Sequence, residues 1–275
     1  MFNPDDLPPL REVIATHGLR AEKKLGQNFL LDRNITDKIV RLAGDFKDTT
    51  VFEIGPGPGG LTRSLLCSNA KKVIAIEFDD RAVRALEDLR VASGERLEVI
   101  QGDALETNLM ALSEGPRAIV ANLPYNIATP LLVGWLRQMR ETPGAYDSMS
   151  LMFQKEVAER IVAAPGTKAY GRLAVLAQWL CEAKKVYDLP PSAFTPPPKV
   201  SSAVVKFVPK ILDKDAPPFK AVERVTAAAF GQRRKMIRSS LKDYAHLFEK
   251  LGIEAQKRAE ELLVSDFINL ARGLP

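Results

Sequence analysis

The sequence predicts an α/β fold: a doubly wound, mostly parallel seven-stranded sheet with an antiparallel last strand, followed by a small all-α domain. Three observations support this prediction. Short apolar segments alternate with helix-length amphipathic segments between residues 51 and 153, which indicates βαβ units. The last two predicted strands are separated by a proline-rich stretch too short for a crossover helix, so they should be antiparallel. Beyond residue 218 only helical periodicity remains.

The elements are predicted from the pattern of apolar residues and from the glycine, proline and capping residues that mark the ends of helices and strands. The strands are predicted at Val51–Ile54, Lys72–Glu77, Leu97–Gln101, Ala118–Ala121, Ser148–Phe153, Lys185–Leu189 and Ser202–Val208. The helices among them are predicted at Leu10–His17, Ile35–Ala43, Leu61–Ser68, from the cap Asp79 to about Ala92, from Thr129–Pro130 onwards, and at Leu173–Glu182.

A charged, proline-bearing linker, Pro209–Pro218, divides the chain. We therefore predict a larger domain at residues 1–209, whose residues 1–32 form an N-terminal arm, and a small helical domain at residues 210–275. The helices predicted after the linker are Phe219–Phe230, Arg233–Lys242, Ala245–Leu251, Ala255–Val264 and Ser265–Arg272.

Composition excludes several classes of protein. No apolar run approaches the roughly 18 residues that a membrane span requires. The N-terminus holds acids and prolines, unlike a secretory signal. Two cysteines suit a reducing cytosol, and two histidines supply neither a zinc site nor a His-based triad. We expect a cytoplasmic protein without a metal ion, and nothing in the sequence requires more than a monomer.

The net charge of +5 is concentrated in one segment. Lys220–Lys242 holds seven basic residues and one acid, which leaves −1 for the rest of the chain. Such confinement is typical of a nucleic-acid contact surface, although a solvated helix surface is the alternative. The expected RNA-contacting residues are Arg233, Arg234, Lys235 and Arg238, together with Lys23 and Lys24 of the N-terminal arm.

A glycine-rich loop follows the first predicted strand of the alternating region. Gly55, Gly57 and Gly60 fit G-x-G-x-x-G between a strand and a helix, where glycine lets the backbone approach a nucleotide closely. Glu77 ends the next strand, where a carboxylate can bind a ribose diol. These residues alone also fit a nicotinamide dinucleotide.

Three further features favour S-adenosylmethionine over a dinucleotide. Glu53 lies inside the strand before the loop, where an acid suits a cationic methionine better than a pyrophosphate. Asp103 follows the third strand of the alternating region and can accept from an adenine amino group, although it could equally cap a loop. Asn122 begins an Asn-Leu-Pro-Tyr sequence after the fourth, at the edge where doubly wound folds bind ligands.

That tetrapeptide predicts the chemistry. An adenine N6 is a poor nucleophile because its lone pair is delocalised into the ring. The amide oxygen of Asn122 and the carbonyl of Leu123 can accept from both N–H groups and stabilise the pyramidal nitrogen as charge develops. Pro124 stiffens the turn, and Tyr125 can stack on the purine. In isolation the same four residues would also fit an Asn-initiated turn with a packed tyrosine.

Taken together, these motifs resemble the ribosomal RNA adenine N6-dimethyltransferase family, and the similarity covers nearly the whole chain. The motifs that carry it are KLGQNFL at 24–30, EIGPGPGGLT at 53–62, GDA at 102–104, NLPYNI at 122–127, FTPPPKVSS at 194–202 and FGQRRK at 230–235. The resemblance implies methyl transfer from S-adenosylmethionine to two adjacent adenosines, each dimethylated, in a hairpin loop near the 3′ end of 16S rRNA. The partner would be that rRNA or the assembling small subunit.

The resemblance also implies roles for individual residues. Asn28 and Leu30 would line the cofactor site from the arm. Gly55 would meet the methionine part of the cofactor, Glu77 the ribose and Asp103 the adenine amino group.

On the substrate side, the resemblance implies that Asn122 borders both the cofactor and the base. Phe194 would form a second aromatic wall opposite Tyr125. Two alternatives stay open: an adenine methyltransferase acting on large-subunit rRNA or DNA, and a ribosome-assembly factor that acts mainly by binding.

Overall fold

Seven strands form one mixed sheet at the centre of the computed structural model, which describes residues 2–19, 27–232 and 234–273. In chain order the described strands are β1 (Phe29–Leu30), β2 (Thr50–Ile54), β3 (Lys72–Glu77), β4 (Leu97–Gln101), β5 (Arg117–Ala121), β6 (Ser148–Gln154), β7 (Cys181–Leu189), β8 (Phe194–Thr195) and β9 (Ser202–Pro209). The sheet has the order β4-β3-β2-β5-β6-β9-β7, and β1 pairs with β8 separately.

The predicted doubly wound topology is confirmed. Strands β2 to β6 pair in parallel, whereas β9 runs antiparallel to both β6 and β7. The seven predicted strands all occur. The helix predicted at Leu173–Glu182 was predicted too long. Its last two residues, Cys181 and Glu182, belong to β7 and pair with Pro209 and Val208 of β9.

Helices cover both faces of the sheet. They are α1 (Leu10–Thr16), α2 (Arg33–Ala43), α3 (Gly60–Leu66), α4 (Asp80–Ala85), α5 (Glu87–Ser93), α6 (Ala128–Glu141), α7 (Lys155–Ile161) and α8 (Arg172–Leu180). Successive residues of β2 point to opposite faces, so Val51 packs with α2 and α3 while Phe52 packs with α6 and α8. The helix predicted from Asp79 to Ala92 is in fact two helices that meet at Leu86.

The C-terminal part is helical, as predicted, but two of its predicted helices are wrong. The observed helices are α9 (Phe219–Gly231), α10 (Ile237–Ser240), α11 (Ala245–Phe248) and α12 (Val264–Arg272). The N–H of Ile237 donates to the carbonyl of Lys257, and Met236 forms a bridge with Arg258. Because these tertiary bonds occupy the backbone, neither 234–236 nor 255–258 is helical; a 3₁₀ turn, Ala259–Glu261, follows.

Ion pairs and aromatic packing hold the C-terminal helices against the helices that cover the sheet. Glu223 of α9 forms ion pairs with Arg137 of α6 at 3.0 Å and with Arg172 of α8 at 2.9 Å. Trp179 stacks on Phe219, with ring centroids 6.2 Å apart. These interactions hold the basic C-terminal segment in a defined orientation relative to the sheet.

Candidate functional site

A cavity opens at the carboxyl edge of the sheet between β2 and β5, the point where the strand order reverses. Ligands of doubly wound folds bind at this position. The lining residues that were predicted from the sequence are Asn28, Leu30, Glu53, Gly55, Gly57, Glu77, Asp103, Asn122, Leu123, Pro124 and Tyr125. The fold therefore brings together residues that lie up to 97 positions apart in the chain.

The glycine loop requires glycine because the arm crosses it closely. A Cβ at Gly57 would lie 2.9 Å from the ring of Phe29, and this residue has a φ of +54°. A Cβ at Gly60 would lie 2.2 Å from the carbonyl oxygen of Leu30. Any larger side chain would displace the arm from the cavity.

Glu77 joins the glycine loop to the next strand. Its carboxylate accepts from the N–H of Gly57 at 3.0 Å and from the N–H of Asp79 at 2.9 Å. Burial raises its pKa, and the backbone donors counteract that effect. Each carboxylate oxygen has a further lone pair, so these bonds leave Glu77 able to accept from a ribose diol.

Glu53 is a buried acid at the cavity wall. It is only 2% exposed, and Oε2 has no hydrogen-bond partner among the described residues. Burial, with a contribution from the nearby Glu77 carboxylate, raises its pKa to about 8, although an interaction with the Thr62 hydroxyl opposes this rise. A buried carboxylate with one unpartnered oxygen is suited to a cationic ligand, which would stabilise the ionised form.

Asp103 fills the capping role that the sequence left open, and its predicted contact with an adenine amino group stays a prediction. One carboxylate oxygen accepts from the N–H of Leu105 at 2.8 Å and so caps the loop after β4. The residue is half-buried and lines the cavity, so its second oxygen can still serve as an acceptor there.

Asn122 follows β5 and is held by the arm. Its amide nitrogen donates to the carbonyl of Asn28 at 2.9 Å. No described group donates to its amide oxygen. The orientation of the amide is thus set by a residue on the opposite wall of the cavity, and the oxygen stays available as an acceptor.

The next two residues differ in how their carbonyls are used. The carbonyl of Pro124 accepts from the N–H groups of Ile127 and Ala128, both at 3.1 Å, and so begins α6. The carbonyl of Leu123, by contrast, accepts from no group in the described part of the chain. Asn122 and Leu123 therefore present two uncommitted acceptors at one cavity.

The two predicted aromatic walls are placed differently. Tyr125 is half-buried, lines the cavity and lies with its hydroxyl 2.6 Å from that of Ser202. Phe194 is only 3% exposed; it pairs with Leu30 in the β1–β8 ribbon and belongs to the core on the α2 and α3 face. It is not among the cavity-lining residues, so a stacking role for Phe194 stays a prediction.

Three of the six predicted RNA-contacting residues lie in the described part of the chain. Arg234, Lys235 and Arg238 are exposed and form no ion pair with a described residue. The predicted RNA contacts at Lys23, Lys24 and Arg233 lie outside the described residues. Arg234 precedes α10, so it does not share a helix with Arg238 as the sequence predicted.

Gln27 and Asp79 are two of the cavity-lining residues that were not predicted from the sequence. Gln27 donates to the carboxylate of Asp79 at 3.2 Å, and both line the cavity. Asp79 was predicted only as a helix cap, a role it also fills by accepting from the N–H of Arg81. The hydrogen bonds from Arg81 lower the pKa of Asp79 to about 2.

Across the described ranges, no cluster of three or more His, Cys, Asp or Glu side chains could hold a metal ion. Nor does any described helix have the length and apolar character needed to cross a membrane.

A doubly wound sheet that carries buried acids, a glycine loop and an Asn-Leu-Pro-Tyr turn around one cavity defines the class of S-adenosylmethionine-dependent methyltransferases. The sequence pattern of the family described as "Ribosomal RNA adenine dimethylase" matches residues 18–274. The chain belongs to this family and is an S-adenosylmethionine-dependent enzyme.

Relatives with assigned names align over almost their whole length. The chain is 54% identical to "Ribosomal RNA small subunit methyltransferase A" of Rhodospirillum rubrum, over 98% of this chain and 93% of that protein. It is 57% identical to the protein of the same name from Ruegeria sp., over 98% of both chains.

Solved structures agree with this assignment. A dimethyladenosine transferase from Plasmodium falciparum is similar with a TM-score of 0.73 and 30% identity, over 87% of this chain and 94% of that one. The 23S rRNA methyltransferase ErmE is similar with a TM-score of 0.66 and 26% identity, over 89% and 98%. The predicted fold class, enzyme class and cofactor are thereby confirmed.

Proposed function

We propose that this enzyme dimethylates N6 of two adjacent adenosines in a hairpin loop near the 3′ end of 16S rRNA, during assembly of the small ribosomal subunit. The names and full-length identity of the small-subunit relatives support this target over the 23S rRNA of the more distant ErmE. The observation that carries the chemistry is the pair of uncommitted acceptors, Asn122 Oδ1 and Leu123 O, at one cavity.

The cofactor side of the cavity fits S-adenosylmethionine. Glu53 offers a cationic methionine group a buried carboxylate whose Oε2 has no partner among the described residues. Glu77 has the position for a ribose diol, and the small glycines let the arm pass close over the loop. When bound, S-adenosylmethionine supplies an electrophilic methyl group on a positively charged sulfur. Asn28 and Leu30 of the arm, with Gly55 of the loop, would enclose it, and Asp103 would accept from the adenine amino group.

On the substrate side, Asn122 and Leu123 would accept from the two N6 hydrogens of the target adenosine. Both acceptors act where positive charge develops on nitrogen, which is the most effective position for polar stabilisation. Tyr125 would stack on the purine, so the base must leave its own stack to enter. The methylated ammonium is acidic enough to lose its proton to water, and the site therefore requires no poised histidine.

Phe194 is proposed as the second aromatic wall. Because Phe194 is buried in the core together with Leu30, its ring would have to move before it could reach a base. We also propose that residues 210–275 bind RNA through Arg234, Lys235 and Arg238, joined by Arg233, Lys23 and Lys24. A cytoplasmic monomer fits this function.

Methyl transfer to separated substrates tests the proposal. The purified protein, incubated with S-adenosylmethionine carrying a labelled methyl group, should label unmodified 30S particles. Particles of the 50S subunit and DNA should stay unlabelled. Label on either of those, with none on the 30S particle, would overturn the proposed target. Binding to 30S particles without transfer would favour an assembly role.

A further inference from the structure

Among the described residues, the hydroxyl of Tyr125 has one hydrogen-bond partner, and that partner lies in a different part of the chain. The hydroxyl oxygens of Tyr125 and Ser202 are 2.6 Å apart, across 77 residues of sequence. A phenylalanine at position 125 could stack on a base equally well. The hydroxyl therefore has a purpose other than stacking, and its bond with Ser202 indicates what it is.

Ser202 is a rigid anchor. It is fully buried and begins β9, where it is paired with Gln154 of β6 on one side and with Leu189 of β7 on the other. The preceding carbonyl, of Ser201, accepts from the N–H of Lys155 at 2.8 Å. Since β9 runs antiparallel to β6, its first residue lies at the carboxyl edge of the parallel strands, beside the active site.

The tyrosine is thus held at both ends. Its backbone belongs to the turn whose Pro124 carbonyl begins α6, and its far end is fixed to the sheet two strands away from β5. A ring attached only at Cα can swing between rotamers, whereas a hydrogen bond at the hydroxyl restricts that motion. Placement matters because small displacements from a near-attack geometry are costly to the rate.

We propose that Ser202 is a positioning residue that sets the orientation of the Tyr125 ring against the target base. Ser202 is not among the residues that line the cavity, so it would act through its bond to Tyr125. The inference rests on the proposed adenosine methylation, and it adds a specific role for a buried serine of the strand that follows the proline-rich loop.

A double-mutant cycle tests the proposal, with methyl transfer to unmodified 30S particles as the reaction. Ser202→Ala should lower kcat by roughly three- to tenfold, the range expected for one net hydrogen bond. Tyr125→Phe should lower kcat to a similar extent, and the double variant should be no slower than either single variant. The affinity for S-adenosylmethionine, measured by titration calorimetry, should be unchanged in all three.

Ser150→Ala is the matched control. Ser150 is also a buried serine, in the neighbouring strand β6, but its hydroxyl has no partner among the described residues. This variant should keep the parent kcat. Should Ser202→Ala fail to fold, Tyr125→Phe tests the same bond from the other end.

Two results would overturn the proposal: a Ser202→Ala or Tyr125→Phe variant with the parent kcat, or rate reductions that add in the double variant. The parent protein distinguishes this failure from a failure of the proposed function. If the parent itself transfers no methyl group to 30S particles, the function is wrong. If only the variants depart from expectation, the positioning role is wrong.

Discussion

The amide nitrogen of Asn122 donates a 2.9 Å hydrogen bond to the main-chain carbonyl of Asn28, 94 residues earlier in the chain. This bond ties the N-terminal arm to the turn that follows β5. It also orients the amide so that its oxygen, which accepts from no described group, stays available at the cavity. In the proposed mechanism the arm therefore both covers the glycine loop and orients an acceptor for the substrate.

Replacement of Asn122 by alanine should lower the single-turnover methylation rate by about 10²–10³, the usual cost of removing one group that stabilises the transition state. RNA affinity should change little, because the basic segment lies among the C-terminal helices, away from the turn that holds Asn122. The measurement is rapid-quench transfer of labelled methyl to 30S particles. Asn34→Ala, at an exposed position of α2, is the control. An unchanged rate for Asn122→Ala would remove this residue from the mechanism.

The buried acid Glu53 predicts an unusual dependence of stability on pH. Its pKa is about 8 in the folded protein and near 4.5 in the unfolded chain. Between these values the folded protein holds a proton that the unfolded chain releases. The stabilising contribution is therefore complete below pH 4.5 and is lost as the pH rises to about 8.

Urea unfolding of the ligand-free protein at several pH values between about 5 and 8 measures this effect. The free energy of unfolding of the parent should fall faster with pH than that of Glu53→Gln, by up to about 1 kcal/mol per pH unit. Glu77 also has a raised pKa but is present in both proteins, so the difference isolates Glu53. Parallel curves would show that Glu53 is ionised in the folded state.

A substitution at Phe194 distinguishes a role in core packing from a role in stacking on the target base. Phe194→Leu conserves most of the buried volume and should cost less than about 1.5 kcal/mol in stability. If Phe194 stacks on the target base, the same variant should methylate 30S particles several-fold more slowly while staying folded. The two measurements are thermal unfolding and single-turnover transfer. A variant as active as the parent would assign Phe194 to the core alone.

The basic segment should supply RNA affinity and no chemistry. An Arg234→Ala, Arg238→Ala double variant should bind rRNA more weakly at low salt. Its plot of log affinity against log salt should be shallower by roughly 0.7 to 0.9 for each phosphate that the variant no longer neutralises. Affinity for S-adenosylmethionine should not change.

The control for this measurement is a Lys47→Ala, Lys71→Ala double variant. It removes the same charge from exposed positions at the amino ends of β2 and β3, the edge of the sheet opposite the site. This variant should keep the parent slope. Equal slopes for all three proteins would show that the basic segment is a solvated surface that does not contact the RNA.

The sequence was sufficient to predict the sheet, because alternating burial and short connections leave few ways to order seven strands. It was also sufficient to predict that Asn122 and Glu77 lie at one cavity, since both lie at the ends of parallel strands whose carboxyl termini meet at one edge of the sheet. It was not sufficient at 234–236 and 255–258, where Ile237 bonds to Lys257 and a tertiary interaction overrides helical periodicity.

Two hydrogen bonds of the site were also beyond sequence reasoning. The bond between Tyr125 and Ser202 depends on β9 lying between β6 and β7, and a strand order of this kind leaves no local signal. The bond from Gln27 to Asp79 depends on where the arm crosses the loop. Both hydrogen bonds join polar side chains that are distant in the chain. The periodicity of apolar residues indicates which residues are buried, but it does not indicate such polar pairs.

By the proposed function, one cavity dimethylates two neighbouring adenosines of small-subunit rRNA. Mass-spectrometric mapping of 16S rRNA, taken from unmodified 30S particles after reaction with the parent protein and S-adenosylmethionine, tests it most directly. We expect two adjacent N6,N6-dimethyladenosines in one hairpin loop near the 3′ end, and far less of either after the same reaction time with Asn122→Ala. Methyl groups on another base, or at scattered adenosines, would contradict this account.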